Sequence, residues 1–152
     1  MPRRRPGALR AARGSSTGRR PPAWARDLPR VDRLPPAASA EIHRTVPGSH
    51  YLPGELLMRY RRFLRAPGGR LLLTHAVCPA PGCELDDVAV VRSELAAAYR
   101  SLPPAARTAL GRILRPLDDE LRRRTVPDPD APAAGRDGAP RPWWHRRLYG
   151  ES

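Results

Sequence analysis

Three stretches of the chain carry apolar side chains at helical spacing. From Pro53 to Ala66 they fall at Leu56, Leu57, Tyr60, Phe63 and Leu64, which places all of them on one face of an α-helix. Pro53 suits a first turn and Pro67-Gly68-Gly69 ends the pattern, while Arg59, Arg61, Arg62 and Arg65 occupy the opposite face. From Glu84 to Leu102 the series Val88, Val91, Leu95, Ala98 and Leu102 follows an acidic start at Glu84, Asp86 and Asp87, where a helix dipole favours anions. A further helix begins at once, with Ser101 as a cap, Pro103 and Pro104 in its first turn, and Ala106, Leu110, Ile113, Leu114, Leu117 and Leu121 as its apolar face until Pro127. Pro116 lies inside that face and predicts a kink or a break.

Between the first two helices, Arg70 to Val77 (RLLLTHAV) reads equally as a buried strand or a helical turn. No second strand pattern exists to pair with it, so a short helix is expected, followed by a turn at Cys78-Pro-Ala-Pro-Gly-Cys83. The fold class is therefore all-α: a small three- to four-helix domain over residues 41–125, two of whose helices form an antiparallel pair closed by the Leu56/Tyr60/Phe63 face. Residues 1–40 combine Arg clusters, Gly-Ser-Ser-Thr-Gly and two Pro pairs, with Trp24, Leu28, Val31 and Leu34 as scattered large apolar residues. That apolar surface does not offset an ordering cost of roughly 1–2 kcal/mol per residue, and a disordered basic arm is expected. The four do lie at helical offsets, so a short element formed on binding is an alternative that Pro29 opposes. Residues 126–142 read as a disordered Pro-rich linker and residues 143–152 as an aromatic and basic tail motif.

Charge changes the picture. All 28 cationic side chains are Arg, with no Lys, Asn or Gln in the chain, a usage that points to a GC-rich coding sequence; against 15 acids they leave a net charge of +13. Ten of them lie in residues 1–40 with two aspartates, which makes the arm +8, whereas residues 41–125 are +5 and the remainder is neutral. Arg3, Arg4, Arg5, Arg10, Arg13, Arg19 and Arg20, spaced by Gly, Ser and Pro, can follow a phosphate backbone without reading sequence. Compositional drift of an unstructured arm toward Arg, Pro, Gly and Ser is an equal account of the same residues. The longest apolar run, Leu71 to Val77, is far shorter than the ~20 residues of a membrane span. No apolar stretch follows the basic start, so a secretory signal is not expected and the default location is cytoplasmic.

Chemistry is sparse. His75, Cys78 and Cys83 form a candidate zinc site, with His43 or His50 as a fourth ligand, because neutral imidazole and thiolate suit zinc and a Pro-Gly turn can present two sulfurs to one ion. The spacing is not that of a standard knuckle, so ordinary thiols come first, zinc second and a local disulfide third. A Cys nucleophile beside His75 needs a base and an oxyanion site that spacing does not supply. There is no GxSxG, P-loop, HExxH or paired-carboxylate arrangement, and Asp118-Asp119-Glu120 reads as a solvated helix face beside Arg122, Arg123 and Arg124. The stretch Leu95 to Leu114, with its Leu-Pro-Pro step, resembles the entry helix of the promoter-reading domain of bacterial sigma factors. The likeness ends where Pro116-Leu117-Asp118-Asp119-Glu120 replaces the turn and recognition helix, and it implies no functional residue here.

Trp143, Trp144, Arg146, Arg147 and Tyr149 either dock in a partner's groove or fold back to cover a helix face. The sequence thus predicts a non-enzymatic interaction or adaptor module for a protein partner, with no cofactor. The alternative is a sequence-nonspecific nucleic-acid binder acting through the arm, and the third reading is a small zinc-stabilised domain.

Overall fold

A computed structural model describes Ala23, residues 29–45 and residues 51–150. The arm arginines Arg3 to Arg20, Trp24, Leu28 and His50 lie outside the described residues. Within them the chain is all-α, with four helices: α1 Pro36–Thr45, α2 Pro53–Leu64, α3 Val88–Ser101 and α4 Pro104–Arg124. Two 3₁₀ turns, Cys83–Asp86 and Trp143–His145, complete the regular structure. No helix among the described residues is long and apolar enough to cross a membrane.

The helical periodicities translate directly into burial. Leu56, Leu57, Tyr60 and Leu64 of α2 close onto Val88, Val91 and Leu95 of α3, and Ala106, Leu110, Leu114 and Leu121 of α4 complete one cluster with Leu102. Each fully buried Leu of this set is worth roughly 1.5–3 kcal/mol. α2 packs most extensively on α3, and α1 packs on α4. Asp87, in extended conformation, caps α3 by accepting the Ala89 amide at 2.8 Å. α4 starts from Pro103 without a side-chain cap, because Ser101 Oγ instead donates to the Ala98 carbonyl at 2.8 Å.

The structure corrects the sequence reading at four places. The folded unit begins before residue 41: Val31 and Leu34 are buried, the Val31 amide donates to Ser39 Oγ at 2.9 Å, and α1 starts at Pro36, a residue allowed in a first turn. Arg70 to Val77 forms no helix. Its Leu71 amide donates to the Arg124 carbonyl at 2.8 Å, and Leu73 is bridged to Tyr149, so its partner comes from the tail. Of the kink or break expected at Pro116, the break is absent: α4 continues through it, and the carbonyl that loses a donor belongs to the exposed Arg112, on the side open to solvent. Finally, residues 126–142 follow defined turns, with the Gly135 amide on the Ala139 carbonyl and the Arg141 amide on the Ala133 carbonyl, both at 2.8 Å.

Two buried arginines close the ends of helices. Arg124 donates to the carbonyls of Leu64 at 2.5 Å, Ala66 at 2.7 Å and Gly68, satisfying groups that α2 and the turn after it leave open. Arg147 does the same for α4, donating to the Arg122 carbonyl at 2.8 Å, the Thr125 carbonyl at 2.5 Å and Thr125 Oγ1 at 2.8 Å. The sequence places Arg124 on a solvated helix face and Arg147 among residues that meet a partner or cover a helix face; both are buried helix-end plugs.

Candidate functional site

At the junction of α3, α4 and the tail, polar groups meet inside the core. Arg92 donates to both carboxylate oxygens of Asp118, from Nε at 2.7 Å and from the terminal nitrogen at 2.9 Å. Tyr60, fully buried, donates to the same Asp118 Oδ1 at 2.9 Å; burial first, and then the Asp118 charge, push its phenol far above the usual range. Asp118 is therefore not part of a solvated face, although Asp119 and Glu120 pair with Arg122 and Arg123 at the surface as expected.

The tail seals this junction. Trp144 lies over the Arg92 guanidinium at 4.4 Å and donates its indole N–H to Ser93 Oγ at 3.0 Å, while Trp143 stands at 4.1 Å from Arg122 and edge-on to Trp144. Tyr149 donates to Asp87 Oδ1 at 2.9 Å and stacks on the His75 ring at 3.8 Å. Of the tail residues expected to meet a partner, Trp143, Trp144 and Tyr149 pack on this domain and Arg147 is buried beneath them; Arg146 alone of the five is exposed.

The zinc candidates are not gathered. Cys78 and Cys83 are joined in a disulfide, in which form neither supplies a thiolate, and His75 turns to Asp87 at 3.3 Å. His43 bonds the Pro29 carbonyl at 2.9 Å. Among the described residues no group of three or more His, Cys, Asp or Glu is placed to hold a metal.

His145 adds a titrating group to the seal. Ser93 Oγ and His145 Nε2 lie 2.7 Å apart, and burial, helped by Arg141 and opposed by Asp87, holds the imidazole below its ordinary range. The unfolded chain then binds a proton near pH ~6.5 that the folded chain refuses. Stability contributed here is complete above that value and is lost as pH falls below it. The melting temperature is expected to decline between about pH 7 and about pH 5, and less steeply in His145→Asn; equal slopes would show that His145 ionises freely.

What stays open is a cleft of about 720 Å³ on the outer side of the same junction. Four arginines line it, Arg92, Arg112, Arg115 and Arg122, against Asp118 and Asp119. Arg112 and Arg115 have no hydrogen-bond or ion-pair partner among the described residues. No protein-family model, curated protein or solved structure matches this chain. The cleft was missed in the sequence, although its signal was there: Arg92 follows Val88 by four residues and Asp118 precedes Leu121 by three, so each falls on the buried face of its helix.

Proposed function

We propose that this protein is a non-enzymatic interaction module whose partner is a polyanion. The observation that carries this reading is the open, arginine-lined cleft, where Arg112 and Arg115 stand without protein partners beside Arg122. The net charge of +13 supports it by favouring anionic partners at long range. The aromatic groups that suited a docking motif are occupied in packing; Tyr60 is bonded to Asp118, and Ser93 to Trp144, rather than arrayed around a reacting centre.

A protein partner is the second reading, favoured by Leu72 at 76 % exposure and Leu148 at 46 %. They stand beside the paired Leu73 and Tyr149 on the outer side of that pairing. A cytoplasmic location belongs to the same proposal, although the Cys78–Cys83 bond is of a kind that a reducing compartment opposes.

The test is capture from the native host lysate on the tagged full chain, with and without nuclease, with cysteines alkylated before lysis. Nucleic acid or an acidic protein released by salt supports the polyanion reading. A stoichiometric partner that withstands both salt and nuclease would move the function to the leucine surface. Alkylated Cys78 and Cys83 support the cytoplasm; a protected pair places the protein in an oxidising compartment.

A further inference from the structure

The cleft is more than a patch of charge. Its wall at the end of α3 is Tyr99, whose ring lies across the middle of α4 at Gly111: a Cβ added to that glycine stands 3.3 Å from the ring. Glycine inside a helix is less favourable than alanine, and here its bare backbone is what lets the aromatic ring come so close. Arg107 stands over the ring at 5.9 Å and donates to the Arg100 and Leu102 carbonyls, which ties the α3–α4 turn to it. Arg112 and Arg115, one turn apart and exposed, follow along α4, with Arg122 at the far end. Arg92 contributes a buried guanidinium, one of whose nitrogens has no hydrogen-bond partner among the described residues. Asp119 is the one carboxylate of the lining not taken up in the core, and it leans on Arg122 at 3.5 Å.

We infer that this cleft holds a short stretch of single-stranded nucleic acid, with Arg112, Arg115 and Arg122 on successive phosphates and the Tyr99 ring as a platform for a base. The inference rests on the polyanion reading and names its partner. An arginine row along a groove beside an aromatic wall is the pairing that sequence-tolerant single-strand binding uses. An acidic peptide needs the cations but has no use for the ring, and a duplex is too wide to enter a concavity of this volume. The disulfide loop and the Leu72/Leu148 surface carry no comparable signal of what they meet.

The experiment is a titration of the full chain with a fluorescent oligo-dT strand at several salt concentrations, beside a duplex of the same length and a poly-glutamate competitor. Three full-length variants accompany it: Arg112→Ala/Arg115→Ala, Tyr99→Leu with Tyr99→Phe as its conservative control, and an arm variant with Arg3, Arg4, Arg5, Arg10, Arg13, Arg19 and Arg20 changed to Ser. Each single-strand phosphate contact contributes about 0.7 to the log–log salt slope, so the double arginine variant is expected to flatten it by about 1.4. Tyr99→Leu is expected to weaken binding by about tenfold with the slope unchanged, and Tyr99→Phe to bind as the parent does. Both effects are expected to persist in the arm variant.

If the arm variant loses all binding while the cleft variants bind like the parent, the cleft inference falls and the polyanion reading stands on the arm. If poly-glutamate binds the cleft and the oligonucleotide does not, the inference likewise falls. If the parent binds no polyanion at all, both fall together.

Discussion

Asp118→Ala is expected to cost about 3–5 kcal/mol, enough to populate the unfolded chain in a domain of ordinary stability. The reason is the burial of Arg92: its side chain is only 10 % exposed, and Asp118 is its sole counter-charge within ion-pair distance among the described residues. Removing the carboxylate leaves a desolvated guanidinium and deprives the Tyr60 hydroxyl of its acceptor in one step. The pair itself is worth far less than that figure, because desolvating both ions offsets most of their attraction. Replacing both partners by apolar residues, Arg92→Met with Asp118→Leu, is accordingly expected to recover the part of the loss due to the stranded guanidinium, less what Trp144 forfeits without its cation, while the Tyr60 hydroxyl stays without its acceptor. Urea unfolding of the parent, both single variants and the double variant measures the coupling. An Asp118→Ala protein within about 1 kcal/mol of the parent would show that Arg92 reaches solvent.

Trp143→Ala with Trp144→Ala is expected to lower stability by a similar amount, about 3–5 kcal/mol for the pair. One fully buried Trp is worth that much, and these two are each half-buried. The loss has identifiable parts. Trp144 gives up its bond to Ser93 and its face on Arg92, Trp143 gives up Arg122, and the edge-on contact between the rings disappears. For a folded unit of this size the melting temperature falls by roughly 10 °C or more. Unchanged melting together with lost partner capture would return the tail to the role of a docking motif.

Where the sequence was legible, the reason is that a helix writes its packing into its own spacing. Val88, Val91, Leu95 and Leu102 announce α3 without reference to anything else in the chain, and Leu56, Leu57 and Tyr60 do the same for α2. α1 was hidden because its buried face is mostly small, Ala38, Ser39 and Ala40 with a single Ile42, and because Pro35-Pro36 reads as a breaker when Pro36 is in fact a helix start.

The Leu71 to Leu73 segment was illegible for a different reason. Its partner is a residue or two of tail some 75 positions later, too short to leave a strand pattern. The tail followed from the same gap. Pro, Gly and Asp at 127–138 have the composition of a linker, yet they serve here as turns that bring Trp143 and Trp144 back over Arg92 and Arg122.

Charge was the most misleading signal. In a chain whose cations are all arginine, a guanidinium that plugs the end of a helix looks the same as one that waits for a phosphate. Arg124 and Arg147 are the first kind; Arg112 and Arg115 are exposed and without a partner among the described residues, which is what the proposal builds on. Only the packing separates them, and it leaves Arg112 and Arg115 side by side in one cleft.

That separation depends on the tail being part of the fold. In a Trp24→Phe variant Trp143 and Trp144 report on the tail by fluorescence, while the helices α1 to α4 report by far-ultraviolet circular dichroism, so following both signals through one urea unfolding curve tests it directly. Coincident transitions are predicted, because the tail and the helix core share Arg92, Asp87 and Thr125 and unfold as one unit. A fluorescence transition that completes at lower urea, with the helical signal intact, would show a tail that detaches by itself and would contradict the account.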